Sequence, residues 1–367
     1  TRSACVTGVQ TCALPIFYPA IACNEQRIWY ESQAENMSQY ENLAAMENAQ
    51  AKQILAENKN VERVEVDGQS ATEVDETKTA EDVEQNKSLK ETNSSDEDNE
   101  IQAAEKMTKS DKKKKINRKK LEDFDYLRQT FYQIDNMTTI GKDQLCVDKL
   151  LKPDMTVDTS VDGPQILIYH THSQEGYADS VPGDASMSVV GVGDYLTELL
   201  TQKYGFSVIH HTGQYDVGDR DHAYAKAGPA LEQILAENKS IEVVIDLHRD
   251  GVGNNTRLVT EQNGVPMAQI MFFNGLSRTT KTGDIEYLYN PYIADNLAIS
   301  FQMQLKAAEY YPGFTRRIYL KGYRYNMHYC PKTLLIEVGA QTNTLAEAKN
   351  AMVPLADLLN KVLTGQQ

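Results

Sequence analysis

The amino-acid sequence predicts an α/β fold with a mostly parallel twisted sheet, helices on both faces and a disordered acidic stalk before it. Three observations support this prediction. After residue 164, short apolar runs alternate with segments of helical periodicity, which is the pattern of β-α-β units. Several of these runs end in histidine or acidic residues. Residues 31–110 are rich in acidic and amide side chains and have hardly any aromatic ones, so they bury too little apolar surface to fold.

The chain divides into four predicted segments. Residues 1–30 are interpreted as an artefactual leader that resembles translated sequencing-adapter sequence, with the remnant of an apolar membrane anchor at 17–22. Residues 31–123 form the charged, partly helical stalk, 124–163 an extended arm that packs on the domain, and 164–367 the catalytic domain. No apolar run reaches the roughly 18 to 20 residues of a membrane-spanning helix, so the anchor interpreted at 17–22 is expected to lack its beginning.

The elements of the domain follow from periodicity and from the residues that begin or end them. Apolar, β-branched runs predict strands at 165–169, 207–210, 241–246 and around Glu337. Helical spacing predicts helices at 192–204, 223–237 and 290–310, and a last one after the capping box Thr344–Glu347. The pair Asn263-Gly264 predicts a turn that joins strands at 258–261 and 268–273.

The first strand of the domain ends in a group of metal-ligand residues. His172 and Glu175 stand in the spacing His-x-x-Glu, which lets an imidazole and a carboxylate reach one small cation from a single turn of backbone. His170 lies two residues earlier and is an alternative ligand. A hydrogen-bonded structural role for these histidines is the competing interpretation.

Two other strands end in a similar way. The strand at 241–246 leads to His248, Arg249 and Asp250, and Glu337 is an isolated charge within an apolar strand. A carboxylate there is costly to bury unless it is paired, lies near a metal or takes part in chemistry. Together these strand ends supply three ligands and one unligated base, which is the composition of a hydrolytic zinc site.

Composition excludes some classes of function. The formal net charge of −15 argues against nucleic acid as a partner. The five cysteines are scattered, odd in number and without a CxxC pair, so they support neither a disulfide framework nor a thiolate zinc site. The lysines and arginines at 112–120 are interpreted as a solvated charge run, with contact to an anionic polymer as the alternative.

All seven histidines lie after residue 164, which places the chemistry there. His210 and His211 follow a strand and are interpreted as surface residues, with a substrate groove as the alternative. His222 is expected to begin a helix, as a capping or surface residue. His328 is predicted either to contact substrate or to pack structurally.

Five motifs resemble the stage II sporulation protein P family. They lie at 165–175, 246–251, 271–275, 311–316 and 334–344, in the order of that family. The resemblance implies a membrane-anchored zinc amidase, similar in fold to zinc-dependent N-acetylmuramoyl-L-alanine amidases, that acts on peptidoglycan during engulfment of the forespore. It implies cleavage of cross-links as well, and two partners: the lytic transglycosylase stage II sporulation protein D, and stage II sporulation protein M. The expected location is the cell membrane, with the domain on its outer face.

The resemblance also implies roles for individual residues. His172 matches a zinc ligand better than His170 does, and His248 matches another. The relatives' carboxylate ligand comes later, on a helix, where residues 185–200 offer only Asp194 and Glu198, so this sequence departs from the family and Glu175 is the better candidate. These assignments predict Zn2+ held by His172, Glu175 and His248.

Glu337 matches the catalytic glutamate and is predicted to move protons between water and the leaving amine. Arg249 or Asp250 is predicted to orient His248 or to bind substrate. Two other classes stay open: a zinc carboxypeptidase, which needs a clamp for a free carboxylate, and an inactive wall-binding module.

Overall fold

The computed structural model describes residues 114–366. Its strands are β1 Tyr132–Ile134, β2 Ile166–Tyr169, β3 Val208–His210, β4 Val243–Asp250, β5 Val259–Gln262, β6 Val265–Ala268, β7 Ile270–Gly275, β8 Arg278–Thr279, β9 Gly283–Asp284, β10 Ile318–Lys321 and β11 Lys332–Ala340. Its α-helices are α1 Arg118–Leu121, α2 Phe124–Phe131, α3 Val147–Leu151, α4 Val189–Glu198, α5 Ala223–Glu237, α6 Ile293–Tyr310 and α7 Leu345–Leu363. The predicted leader and the stalk up to residue 113 lie outside the described residues.

The central sheet has seven strands in the order β1-β10-β7-β11-β4-β2-β3. Five of its neighbouring pairs are parallel, and only β11 and β7 are antiparallel. The strands β3, β2, β4 and β11 therefore run in one direction, and their carboxyl ends meet at one edge. This arrangement confirms the predicted fold class.

Helices cover both faces of the sheet. Ile166 and Ile168 of β2 belong to the large core that contains apolar residues of α4, α6 and α7. Leu167 and Tyr169, which alternate with them, pack with Leu231 of α5 on the other face. Each fully buried aliphatic side chain of this kind contributes about 1.5–3 kcal/mol, so both layers stabilise the sheet.

The segment 124–163 is not an extended arm. Asp123 caps α2 by accepting a hydrogen bond from the Tyr126 amide at 2.7 Å, and Leu127 and Phe131 of that helix are buried. They are four residues apart and therefore lie on one face of the helix. The strand β1 then joins the sheet as its edge, beside β10. Leu121 is also buried, although it precedes the predicted boundary near Asp123.

The predicted hairpin is confirmed at its turn but not in its second strand. Asn263 and Gly264 have φ angles of 51° and 83°, as a tight turn between β5 and β6 requires. The apolar residues after Ala268 do not continue this hairpin: they form β7, which pairs with β11 in the central sheet. Every residue of β7 is buried, and only a central position covers both faces of a strand.

The remaining helices lie close to their predicted positions. α5 has the predicted bounds, and α7 begins with the predicted capping box of Thr344 and Glu347. α4 begins three residues earlier than predicted and continues into a wider helical turn at Leu199–Lys203. Within residues 114–366, no helix combines the length and the apolar character needed to cross a membrane.

Candidate metal centre

His172, Glu175 and His248 form a compact cluster. One ligand atom from each lies within 4.8 Å of the others, and all three residues are buried. Nδ1 of His172 is 3.6 Å from Glu175 Oε1, and Nδ1 of His248 is 3.3 Å from Glu175 Oε2. The three predicted ligands are thus brought together around one point.

The parallel strands explain this convergence. His172 and Glu175 lie in the turn that follows β2, where the Glu175 amide donates to the His172 carbonyl. His248 lies near the end of β4, and in the sheet register it stands beside Glu337 of β11. Because β2, β4 and β11 all end at the same edge, residues distant in sequence meet there.

Two donors hold the Glu175 carboxylate. The backbone amide of Arg249 donates to Oε2 at 3.0 Å, and the Arg220 guanidinium donates to Oε1 at 2.6 Å. Burial disfavours the charge, but contacts with His248, His172 and Arg220 outweigh it and hold the pKa of Glu175 well below its usual range. Glu175 is therefore ionised, as a ligand must be.

Asp246 is the carboxylate that positions His248. Its Oδ1 lies 2.8 Å from His248 Nε2, and it accepts hydrogen bonds from the amide and hydroxyl of Thr171 at 2.9 and 2.6 Å. Burial opposes a charge on His248, yet Asp246 and Glu175 raise the pKa of this imidazole well above its usual value. The contact with the second ring nitrogen of His248 thus comes from Asp246, and the prediction that Arg249 or Asp250 orients His248 or binds substrate stays a prediction.

Arg249 and Asp250 are engaged elsewhere. The Arg249 guanidinium donates to the carbonyls of Gly176 and Asp250, and Asp250 accepts from Arg316 at 2.5 Å. The side chain of Arg249 thus fastens the turn after Glu175, and a direct catalytic role for it stays a prediction.

Glu337 lies beside His248 of the cluster, and one of its carboxylate oxygens accepts no hydrogen bond within the described part of the chain. Its side chain is partly exposed, and the structure of residues 114–366 provides no hydrogen-bond partner for its buried Oε2. Burial, with Asp250 as the next cause, raises the pKa of Glu337 to about 8. A cation at the neighbouring cluster acts in the opposite direction.

His170, the alternative ligand, points away from the cluster. Its Nδ1 is 2.8 Å from the Leu247 carbonyl, and its Nε2 is 2.8 Å from Nε2 of His210. His210 in turn contacts the carboxylate of Asp194 at 2.9 Å. The geometry therefore favours His172 over His170, and it gives Asp194 a partner other than the cluster.

The other histidines are also placed away from the cluster's ligand atoms. His211 contacts the Tyr215 hydroxyl, and His222 contacts Asp219. The ring of His328 lies tilted against that of Tyr329, with ring centroids 3.9 Å apart, and its buried Nδ1 has no hydrogen-bond partner within residues 114–366. The contacts of His211 and His222 suit structural roles, and for His328 the choice between substrate contact and packing stays a prediction.

Sequence reasoning missed Asp246, Arg220 and Tyr224. The Tyr224 ring lies 5.6 Å from that of His172 and 6.4 Å from that of His248, between ring centroids, and so forms a wall of the site. Strand alternation could have indicated Asp246, because residues 246 and 248 share a face of β4. Arg220 and Tyr224 come from the connection after β3 and the start of α5, where the sequence has no local signal.

Substitution of Gly193 by alanine tests the packing of His170 against α4. An added Cβ would lie 2.7 Å from His210 Nε2 and 2.8 Å from His170 Nε2, closer than side chains tolerate. We expect Gly193→Ala to lower the free energy of unfolding by about 1–2 kcal/mol, because overpacking outweighs the gain in helix propensity. Denaturant unfolding measures this change, and an unchanged or raised stability would contradict the contact.

The donor set suits a divalent metal ion. Two imidazoles and one carboxylate are the ligands of one type of catalytic zinc site. Asp246 and Glu175 also flank His248 on both ring nitrogens, so two negative charges favour a cation at this point. The fold and the cluster define a class: an α/β protein with a candidate metal centre at the carboxyl edge of a mainly parallel sheet.

The chain belongs to the stage II sporulation protein P family, whose model matches residues 24–360. This confirms the family predicted from the motifs. Stage II sporulation protein P of Bacillus subtilis (strain 168) is 26% identical over 245 residues, which cover 62% of this chain and 58% of the relative. The chain therefore spans little more than half of that relative's length.

Solved structures of amidases are weakly similar. An N-acetylmuramoyl-L-alanine amidase of Nostoc punctiforme matches 55% of this chain and 96% of its own, with 12% identity and a TM-score of 0.34. The N-acetylmuramoyl-L-alanine amidase of Clostridium difficile 630 matches 56% and 97%, with 11% identity and a TM-score of 0.34. Similarity at this level does not assign a function, so the functional assignment rests on the residues of this chain.

Proposed function

We propose that this protein is a zinc-dependent peptidoglycan hydrolase, which cleaves the amide between N-acetylmuramic acid and the L-alanine of the stem peptide. The observation that carries the proposal is the buried cluster of His172, Glu175 and His248 with Glu337 beside it. Membership of the sporulation family supports a role in the cell wall during sporulation. Hydrolysis of peptide cross-links is also part of the proposal.

His172, Glu175 and His248 would hold the zinc ion. A bound zinc ion supplies Lewis acidity, which activates water and polarises a carbonyl group. Asp246 fixes the ring of His248 through its second nitrogen, and the Arg249 amide fixes one oxygen of Glu175. Such outer contacts keep the ligand atoms aimed at one point.

Glu337 is the proton carrier of the proposed reaction. Its spare oxygen can accept the proton of the attacking water and return it to the leaving amine of L-alanine. It stands beside His248 in the sheet, so it faces the same space as the ligands. Tyr224 covers the two imidazoles from the side of α5 and limits the access of bulk water.

The proposal includes a place and partners. We propose that an anchor holds the protein in the cell membrane, with the domain on the outer face between mother cell and forespore. Stage II sporulation protein D would cut the denuded glycan there, and stage II sporulation protein M would share the membrane site. Family membership supports these expectations, and co-purification from sporulating cells tests the partners.

One experiment tests the proposed function. The purified chain is incubated with peptidoglycan, with a chelator, and with the chelator followed by excess zinc, and mass spectrometry identifies the products. We expect free stem peptides and denuded glycan, their loss with the chelator, and their return with zinc. Release of single carboxy-terminal amino acids would indicate a carboxypeptidase instead. A protein that binds the wall but leaves it intact in every sample would be an inactive wall-binding module.

Asp246→Asn is expected to weaken zinc binding about 10–100-fold, as the loss of outer carboxylates generally does. The amide keeps the shape but loses the charge beside His248 Nε2. Competition with a fluorescent zinc chelator measures the affinity. Asp284→Asn is a matched control, because Asp284 is an exposed partner of Arg278. Equal affinities in both variants would remove the positioning role of Asp246.

A further inference from the structure

Arg220 reaches from the solvent to the candidate metal centre. Its side chain is 50% exposed, yet its Nη2 lies 2.6 Å from Oε1 of Glu175, whose side chain is 3% exposed. Arg220 lies on a short turn directly before α5, and Tyr224 of that helix covers the two histidines. The guanidinium therefore stands between solvent and the cluster, in direct contact with one of the candidate ligands.

The geometry leaves donors of Arg220 available. A guanidinium has five N–H donors in a planar fork, and the ion pairs of Arg220 are with Glu175 and, at 3.9 Å, with Asp216. Asp216 accepts hydrogen bonds from the Ser173 hydroxyl and the Gln174 amide, so it is held against the turn before Glu175. Half of the Arg220 side chain is exposed to solvent while the guanidinium contacts Glu175, so the fork is accessible beside the cluster.

Arg220 is the cation that contacts the cluster from the connection before α5. The next cation along the chain, Lys226 of α5, pairs with Asp219 at 3.0 Å, and Asp219 also contacts His222. A guanidinium fork matches the two oxygens of a carboxylate, which a lysine ammonium does not. A divalent cation beside Glu175 would take up the charge of that carboxylate and leave the positive charge of Arg220 for a further anion.

We propose that Arg220 binds a carboxylate of the substrate peptide, so that the enzyme prefers acidic stem peptides to their amidated forms. This inference rests on the proposed function, because it takes the scissile amide to lie at the metal centre. A carboxylate one residue beyond the L-alanine would then come within reach of the guanidinium. Arg220 would thus determine specificity on the peptide side of the cut.

A matched pair of substrates tests the inference. Two soluble muramoyl tripeptides differ only at the second residue, which carries either a free α-carboxylate or the carboxamide. We expect the parent chain to show a kcat/KM about tenfold higher for the acid, the usual size of a hydrogen-bonded charge contact. Arg220→Met should bring the ratio to about one, and Arg220→Lys should give an intermediate ratio. The control Lys226→Met removes the same charge from the first turn of the adjoining helix α5 and should keep the parent ratio.

The ratio separates recognition from damage to Glu175. A displaced Glu175 slows both substrates alike, whereas a lost carboxylate contact slows only the acid. Equal rates for both substrates in the parent chain, or an unchanged ratio in Arg220→Met, would overturn the inference while leaving the proposed function intact.

A binding measurement covers the case of inactive proteins. Calorimetry compares the two tripeptides on Glu337→Gln and on Glu337→Gln with Arg220→Met. If Glu337→Gln binds the acid more tightly than the amide, and the added Arg220→Met removes this difference, the inference is supported. It is supported even if the parent chain cleaves neither peptide, although that lack of cleavage would count against the proposed function. Equal affinities of Glu337→Gln for the acid and the amide would overturn the inference about Arg220.

Discussion

Glu337→Gln is expected to lower kcat for peptidoglycan hydrolysis about 10²–10⁴-fold, the usual contribution of a general acid–base group. The amide cannot take a proton from water at neutral pH, although it has nearly the shape of the carboxylate. Because Glu337 makes none of the cluster's close ligand contacts, the variant should bind one zinc ion as tightly as the parent. Release of stem peptides, followed by mass spectrometry, and zinc content after dialysis measure the two effects.

The fold of this variant should be unaffected. Burial disfavours the charge of Glu337, and a neutral amide removes that cost, so we expect no loss of thermal stability. Glu261→Gln is the matched control, since Glu261 is an exposed residue of the β5–β6 hairpin. Glu337→Gln with more than a tenth of the parent activity would exclude Glu337 as the proton carrier and leave the search for a base to the neighbouring residues.

The sequence predicted the central β-α-β units well because their signals are local. The apolar run of β2, the helical period of α5 and the capping box of α7 each depend on neighbouring residues. The position of β7 does not depend on neighbouring residues, because its apolar side chains suit a hairpin or a central strand equally. Only pairing with β11, more than sixty residues later, decides between them.

The same distinction holds within the site. His172, Glu175 and His248 could be predicted because each stands next to the end of an apolar strand, and parallel strands bring such ends together. The choice between His170 and His172 needed the tertiary structure, since the direction of an imidazole after a strand end is set by what lies opposite. His170 is turned away by the Leu247 carbonyl and by His210.

Asp246 and Arg220 show two different reasons for a missed residue. Asp246 shares a face of β4 with His248, so the alternation of the strand could have indicated it, but the prediction assigned the role to Asp250, which lies equally close to His248 in sequence. Arg220 acts on Glu175 across 45 positions of sequence, from a turn without periodicity. Contacts of this kind follow from how the connection after β3 folds over the sheet edge, and that path depends on many weak interactions.

His172→Ala is expected to abolish stoichiometric zinc binding, whereas His170→Ala is expected to keep one zinc ion per chain. His172 supplies one of three ligands, and two remaining protein ligands rarely hold zinc against dialysis. His170 is fully buried and bonded to Leu247 and His210, so its loss should instead lower the free energy of unfolding by about 1–3 kcal/mol. Metal analysis after dialysis and denaturant unfolding separate the two roles.

The control for this pair is His211→Ala, because His211 is partly exposed and contacts Tyr215 away from the cluster. It should change neither zinc content nor stability by much. The opposite pattern, zinc lost in a folded His170→Ala protein and kept in His172→Ala, would show that the metal is bound by His170 and not by His172. The ring of His170 lies against Leu247 and His210, whereas Glu175 lies beside His172 and His248. A metal ion bound by His170 would therefore need a carboxylate ligand other than Glu175. The two variants therefore test the ligand set and its place in the fold at once.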